Sequence, residues 1–403
     1  MKSYENRMVA VCMLCTGFAM FDRFAIANLS PFVMAELGMT NAQLGQMMSA
    51  VALAWAFSGF FVSAFSDMGA GKKKLLAALV LLFSAFSFLT GLARGIAMLV
   101  AIRFALGLFG GPVFPIVQAF SLAQSQARRR GLNMGLVTTV AMGLIANLIG
   151  PIALVALCGA IGWRATFLTT LIPGIAVAAL VLRVLKEPDM SKIEGTHANE
   201  GRPTFREAMH IFKNRNVRTS MVFGCFLVSW NIAMLTFAPA YLVSVRGVDP
   251  AAMSHIMAVF GAAAVMWGLL VPSLSDRLGR KPVAIAFTLL SIVSPLGMLL
   301  APSPLAMGVC IFIGWSGSGV FAIHQAAILG ESVDTKYASS AMASVQMTGE
   351  IGGGVIGVMA AGILADIYGL HTALIFAACC AAAASLIAFA YYETAPAILT
   401  KRA

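Results

Sequence analysis

Apolar windows of about twenty residues, the length an α-helix needs to cross roughly 30 Å of hydrocarbon, recur from one end of this 403-residue sequence to the other. Twelve can be drawn, at approximately 8–33, 41–66, 75–93, 96–123, 132–157, 164–185, 219–244, 251–275, 283–301, 304–329, 339–363 and 372–392. With 60% hydrophobic and only 11% charged residues, the chain cannot build a water-soluble surface. The fold class this dictates is an all-α, polytopic membrane protein. The first run carries Asp22-Arg23 and has no small-residue cleavage site after a short apolar core, so it reads as a span and not as a removable signal peptide.

A net charge of +11 invites a nucleic-acid reading, but its placement argues for a bilayer. With both termini in the cytoplasm, all of the 27 Lys and Arg except Arg23, Arg94, Arg103, Arg164 and Arg246 fall at inner helix ends or inner loops. Lys72, Lys73, Lys74, Arg128, Arg129, Arg130, Arg277, Arg280 and Lys281 are among them. That asymmetry fixes the orientation expected of a multi-pass protein of the bacterial inner membrane. The seven cysteines lie within the windows or, for Cys158, one residue past the fifth, where they read as packing residues and not as a disulfide framework.

Between Lys186 and Arg218 the composition turns polar, with Glu187, Pro188, Asp189, Lys192, Glu194, Gly195, Asn199, Glu200 and Pro203 close together. This divides the chain into a first six-span unit (1–185), a cytoplasmic linker (186–218) and a second six-span unit (219–403). Within the linker, Phe205, Met209 and Phe212 recur at helical spacing, which predicts a short surface helix over 206–213. The loop after the second span reads Asp67-Met68-Gly69-Ala70-Gly71-Lys72-Lys73, and the loop after the eighth reads Asp276-Arg277-Leu278-Gly279-Arg280-Lys281. Each has an acid at a helix end, a glycine turn and then cations, at the same ordinal place in its half. Parallel repeats about an axis along the membrane normal produce that pattern.

On these loops the chain resembles the major facilitator superfamily, whose signature is a glycine, three residues, Asp-Arg, one residue, Gly-Arg and a further cation. The second copy matches from Asp276 to Lys281, with Pro272 at the leading glycine. The first copy has Met68 for the arginine and Ala70 for the glycine. The resemblance implies two pseudo-symmetric six-helix bundles, a monomer, and a gating latch that uses Asp67, Asp276, Arg277 and Arg280.

Half-span counting places a short set of polar and aromatic residues near the bilayer midplane: Asp22, Arg23, Trp55, Gly110, Asn147, Trp230, Asn231, Trp267, Trp315, Ser316, Ser318, Gln346 and Glu350. A charge left in hydrocarbon costs at least about 2.5 kcal/mol on insertion scales, so such residues face a polar cavity or one another. Arg23 is the one arginine this counting puts at that depth, and its planar fork suits a carboxylate. Asp22 and Arg23 are neighbours on a helix, pointing about 100° apart, and do not neutralise each other directly. Asp22 and Glu350 are the deepest carboxylates, and a cation beside such a group switches it between charged and protonated forms. Glu350 has a second reading as a helix–helix hydrogen bond, given the small residues Gly349, Gly352, Gly353, Gly354 and Gly357 around it. His324, nearer the inner end of its span, is either a proton relay or a bond to a neighbouring helix. The other histidines, at 197, 210, 255 and 371, assemble no metal cluster with it. No nucleophile, base and orienter set exists, so an enzyme is not expected.

Within the superfamily the first half resembles the anion:cation symporter family. The stretches that carry this are Asp22-Arg23 with Asn28-Leu29-Ser30, Arg103-Phe104-Ala105-Leu106-Gly107-Leu108-Phe109, Pro112 with Phe114-Pro115, and Gly162-Trp163-Arg164 with Phe167. The resemblance implies secondary transport of a small organic acid, such as a sugar acid or aromatic acid, with a proton as the coupling ion and no other cofactor. Arg23 would hold the carboxylate, and Asp22 and Glu350 would serve coupling. Trp230, Asn231, Trp315, Ser316 and Asn147 would shape the pocket. One position departs from the family: Gly110 stands where a glutamate is often found in the fourth span. Gly150-Pro151 in the fifth span keeps a second reading open, a proton-driven exporter of amphiphilic compounds.

Overall fold

The computed structural model describes residues 2–66, 71–188, 209–396 and 398, and these are helical nearly throughout. Among them, ten helices are long and apolar enough to cross a membrane. One of the ten, Arg130–Val184, has 55 residues, too many for a single crossing. It breaks at Gly162, whose φ of 80° and ψ of 159° are open to a residue without a Cβ. Counting it as two rods and adding Asn41–Ser66 gives twelve, the number expected from hydropathy.

We label them α1 (Lys2–Asn28), α2 (Asn41–Ser66), α3 (Lys72–Thr90), α4 (Ile96–Gln124), α5 (130–161), α6 (163–184), α7 (Arg215–Ser244), α8 (Pro250–Leu278), α9 (Arg280–Leu300), α10 (Pro304–Ser332), α11 (Ser340–Tyr368) and α12 (His371–Ala388). A short helix, Ser30–Leu37, continues α1 past a turn. Helix α7 starts earlier than the apolar pattern implied, at Arg215, because the Asn214 side chain caps it by accepting from the backbone N–H of Asn216 and Val217. The surface helix expected over 206–213 lies partly outside the described residues; its described part, Met209–Lys213, is a 3₁₀ turn.

The repeat suggested by the loops extends to the packing. In the first half α1 meets α5, α2 meets α4, and α3 meets α6; in the second, α7 meets α11, α8 meets α10, and α9 meets α12. The two halves then join through α5 against α8 and α11 against α2. Glycines permit both junctions. A Cβ at Gly261 of α8 would lie within 2.5 Å of the Gly143 carbonyl oxygen of α5, and one at Gly362 of α11 would lie 2.7 Å from the Asn41 carbonyl oxygen of α2. Backbones approach this closely only where side chains are absent. All seven cysteines are free.

The α2–α11 junction closes the end of the molecule opposite the chain termini. There the Asp366 carboxylate, near the end of α11, accepts from the backbone N–H of Asn41 at 2.8 Å and of Ala42 at 3.0 Å. It thereby caps the first turn of a helix in the other half, where unpaired N–H groups and the positive end of the dipole favour an anion. Further along, Ser49 Oγ donates to the Val355 carbonyl at 2.8 Å.

Candidate substrate site and its latch

Midway along the rods, Asp22 and Arg23 leave α1 in different directions. Asp22 turns into the first half, where Ser87 Oγ of α3 donates to its Oδ1 at 2.8 Å. Arg103 of α4 donates from Nη2 to the carbonyl oxygens of both Asp22 and Arg23, each at 2.7 Å. Two arginine guanidinium groups therefore share this depth, not one as half-span counting gave. Asp22 and Arg103 are both fully buried, and Asp22 Oδ2 and Arg103 Nε and Nη1 have no hydrogen-bond partner among the described residues. This pairing within the first half supports the backbone of the residue that faces the junction.

Arg23 crosses to the second half. Its Nη2 lies 2.7 Å from Glu350 Oε2 and its Nη1 donates to Oε1 at 3.3 Å, a two-pronged ion pair between α1 and α11. The helix-bond reading of Glu350 is thus correct in kind, and its partner is the arginine. The guanidinium also lies 4.8 Å from the Trp55 ring of α2 and 5.7 Å from Phe24. Gly110 explains why that indole fits: a Cβ there would meet Trp55 Cζ3 at 2.7 Å. The position that lacks the family's glutamate is the floor under the ring that supports Arg23. Glu350 has its own recess, since Gly354, one turn on, leaves the Oε2 atom room that a Cβ 2.9 Å away would take. Both α11 (Glu350–Gly357) and its repeat partner α5 (Met142–Ile149) wind as π-helix at this level, a local loosening that recurs at functional sites.

Beside the ion pair, Phe24, Asn28 and Asn147 with Pro151, Leu235 and Met257 line a narrow crevice between the halves. Asn147 therefore sits at the junction, and Asn231 is half-buried on α7. The remaining pocket residues named from sequence lie deeper in the second half. Trp230 packs on Trp315 at 4.7 Å, Trp315 packs edge-on against Phe260 at 4.4 Å, and both tryptophans and Ser316 are closed to solvent in this conformation. His324 is also fully buried, edge-on to Phe223 at 5.1 Å, with neither ring nitrogen hydrogen-bonded among the described residues.

At the terminus-bearing end the second-half loop forms a compact network. Arg280 Nη1 pairs with Asp276 Oδ1 at 2.5 Å and donates to Ser275 Oγ at 2.6 Å, while Nη2 and Nε reach Glu331 of α10 at 2.8 and 3.2 Å. Arg277 is exposed, and Asp67 lies outside the described residues. Sequence reading missed two acids here. Glu393 caps α9 by accepting from the N–H of Arg280 and Lys281, and Glu187 caps α3 by accepting from Lys72 and Lys73. Each follows the last helix of its half, and that shared place was the available signal.

At the far end, Gly162-Trp163-Arg164 folds around Glu36, which accepts from Trp163 Nε1 at 2.6 Å and Arg164 Nε at 2.8 Å. Arg164 Nη1 donates to the Ala93 carbonyl. Glu36 lies beyond the end of α1, and the bonds from Arg164 and then Trp163 hold its carboxyl below the usual carboxylate range.

Two repeated six-helix halves, joined through α2–α11 and α5–α8 and carrying this loop, coincide with a family profile that matches residues 12–356 and again 273–402. The chain belongs to the Major Facilitator Superfamily. It is a multi-pass membrane transporter, not an enzyme. Among its relatives, it is 26% identical over 327 residues to the probable sulfoacetate transporter SauU of Cupriavidus necator, covering 79% of this chain and 71% of that one. It is 26% identical to the hexuronate transporter of Bacillus subtilis, over 59% of this chain and 56% of the relative. A chloramphenicol resistance protein of Streptomyces lividans is 25% identical over 88% of this chain and 85% of its own length. Among solved superfamily folds, a bacterial homolog of the human lysosomal transporter Spinster superposes with a TM-score of 0.79 at 16% identity, over 97% of this chain and 98% of that one.

Proposed function

We propose that this superfamily member imports a small organic anion across the bacterial inner membrane by proton-coupled alternating access, with Arg23 as the carboxylate ligand. One observation carries the reading. A guanidinium held at the junction of the halves is engaged in two-pronged fashion by a carboxylate, Glu350, so the seat accepts that group as it stands. The relatives named for sulfoacetate and hexuronate transport support the substrate class. Cations concentrated at the terminus-bearing end support placing both termini in the cytoplasm. On that orientation the closure at Asp366 seals the outside. Asp22 and Glu350 are the carboxylates available to a coupling proton, and the protein works as a monomer.

Counterflow into liposomes with a panel of sugar acids and aromatic monocarboxylates tests this. Arg23→Lys keeps the charge and loses the fork. A charge-assisted bond contributes about 1.5–3 kcal/mol, so its apparent affinity should fall roughly 10- to 100-fold. Uptake by Arg23→Lys at the wild-type rate and affinity would show the carboxylate role to be wrong. The relative named for chloramphenicol resistance favours a second reading, export of amphiphilic compounds. That reading requires efflux indifferent to Arg23→Ala.

A further inference from the structure

Three features of the junction remain unused by a simple ligand role for Arg23. Its partner comes from the other half of the molecule; that partner's side chain is 15% exposed, against 5% for Arg23 itself; and the recess that receives it is shaped by Gly354, Ala52 of α2 and Ile232 of α7. A merely structural ion pair needs no such opening. An acid that must leave and return does.

We propose that Glu350 is a tethered stand-in for the substrate: the incoming carboxylate displaces it from Arg23, and Glu350, once displaced, takes up the coupling proton, one per substrate carboxylate. This rests on the organic-anion reading given above. The charge count explains why the two events are bound together. In the empty carrier, Arg23 and Glu350 sum to zero. With substrate on Arg23 and a proton on Glu350, the sum is again zero. Substrate alone would leave Glu350 charged and unpaired in a mostly buried recess, and a proton alone would do the same to Arg23; either state is strongly disfavoured. Only the empty and the doubly loaded carrier can therefore reorient. The proton comes from the aqueous side to which the site is open, adds to a Glu350 carboxylate oxygen, and leaves on the other side as Arg23 takes the carboxylate back.

The groups that face Glu350 come from four helices. From α1 comes Arg23, from α2 Ala52 with Trp55 beyond the guanidinium, from α7 Ile232, and from its own helix Gly354. Arg23 is the charged group among them. Asp22 and Arg103 lie within the first half, bonded to Ser87 and to the α1 backbone. Gly110 accounts for the location of the acid in the second half, because an acidic side chain there would displace the Trp55 ring.

The test uses the full-length purified protein and D-glucuronate, benzoate and sulfoacetate as probes, with binding read by calorimetry across pH and proton uptake read by an indicator dye in weak buffer. For a probe that binds, the wild type should take up one proton per molecule, and affinity should fall about tenfold per pH unit on the alkaline side. Glu350→Gln should bind at least as tightly, release or take up no proton, and lose the pH slope. Glu350→Asp, which stays ionisable, should keep the slope. A slope or proton uptake retained in Glu350→Gln would overturn the assignment and leave the anion reading standing. Weaker binding by a Glu350→Gln protein that is monodisperse by gel filtration would do the same. If none of the probes binds the wild type, the anion reading fails and this inference with it.

Discussion

Replacing Asp366 with alanine should open the far end of the molecule. In the closed arrangement its carboxylate accepts from the Asn41 and Ala42 N–H groups at 2.8 and 3.0 Å, and those groups belong to the other half. The contact can exist only while α2 and α11 touch, so its free energy enters the closed state alone. Capping a helix N-terminus contributes about 0.5–2 kcal/mol, and a negative charge at the dipole's positive end adds a few tenths to about 1. Because Asp366 is exposed, the lower part of the sum applies, about 1–2 kcal/mol. That is a factor of roughly 5–30 in the ratio of open to closed molecules. Ser49, 3% exposed and bonded to the Val355 carbonyl across the same seam, gives the reporter. Ser49→Cys should react slowly with a membrane-impermeant maleimide, and adding Asp366→Ala should raise that rate by the same factor, read by mass spectrometry of the modified peptide. Equal rates would mean that the cap does not hold the seam shut. A faster rate for Ser49→Cys in a protein that has lost its thermal transition would indicate unfolding instead, so melting is recorded alongside.

Two other substitutions probe the remaining supports. Gly261→Val places a side chain where the backbone of α5 stands, with the Cβ 2.5 Å from the Gly143 oxygen. Overpacking of about 1–3 kcal/mol biases the halves apart by roughly 5- to 150-fold, and counterflow should fall accordingly, whereas Gly159→Ala, with nothing within 4 Å of its Cβ, should leave it unchanged. For Glu36, whose carboxyl is held below its ordinary value by Arg164 and Trp163, the stabilisation is present above the unfolded-state value of about 4.3 and is lost as pH falls through the lowered one. Glu36→Ala should therefore melt below the wild type near neutral pH and match it in strong acid; a gap that persists in acid would refute the ionic origin.

The span count, the repeated halves and the mid-span position of Asp22-Arg23 were legible because hydropathy and loop order are written in one dimension. What faced what was not. The helical period says that Asp22 and Arg23 point apart, but only the packing of α3, α4 and α11 decides that one meets Ser87 and the other Glu350. Arg103 escaped because half-span counting locates a Cα, and an arginine's charge sits several ångströms from it. Trp230 and Trp315 share the depth of the site and still pack inward, since depth fixes one coordinate and leaves the direction open. Glu187 and Glu393 were readable in principle: each follows the last helix of a half, with a proline one to three residues on, at 188 and 396. The glycine contacts at Gly143 and Gly261 were not, because glycine is common in membrane helices and names no partner.

The site links sequence changes that look unrelated along the chain. A glycine at 110 admits the Trp55 ring, the ring lies under the Arg23 guanidinium, and the guanidinium is left to be neutralised from α11. An acid on the fourth helix would move with Arg23, because both belong to the first half. Glu350 belongs to the second, so its distance from Arg23 varies with the angle between the halves. The ion pair is therefore at once the charge balance of the site and a tie across the junction, in parallel with Asp366 at the far end. Any ligand that takes Arg23 from Glu350 removes one of the polar ties, which leaves Asp366 and the Ser49–Val355 bond resisting separation at that seam. Binding at the centre and opening at the end are coupled by that arithmetic, without any change of shape within either half.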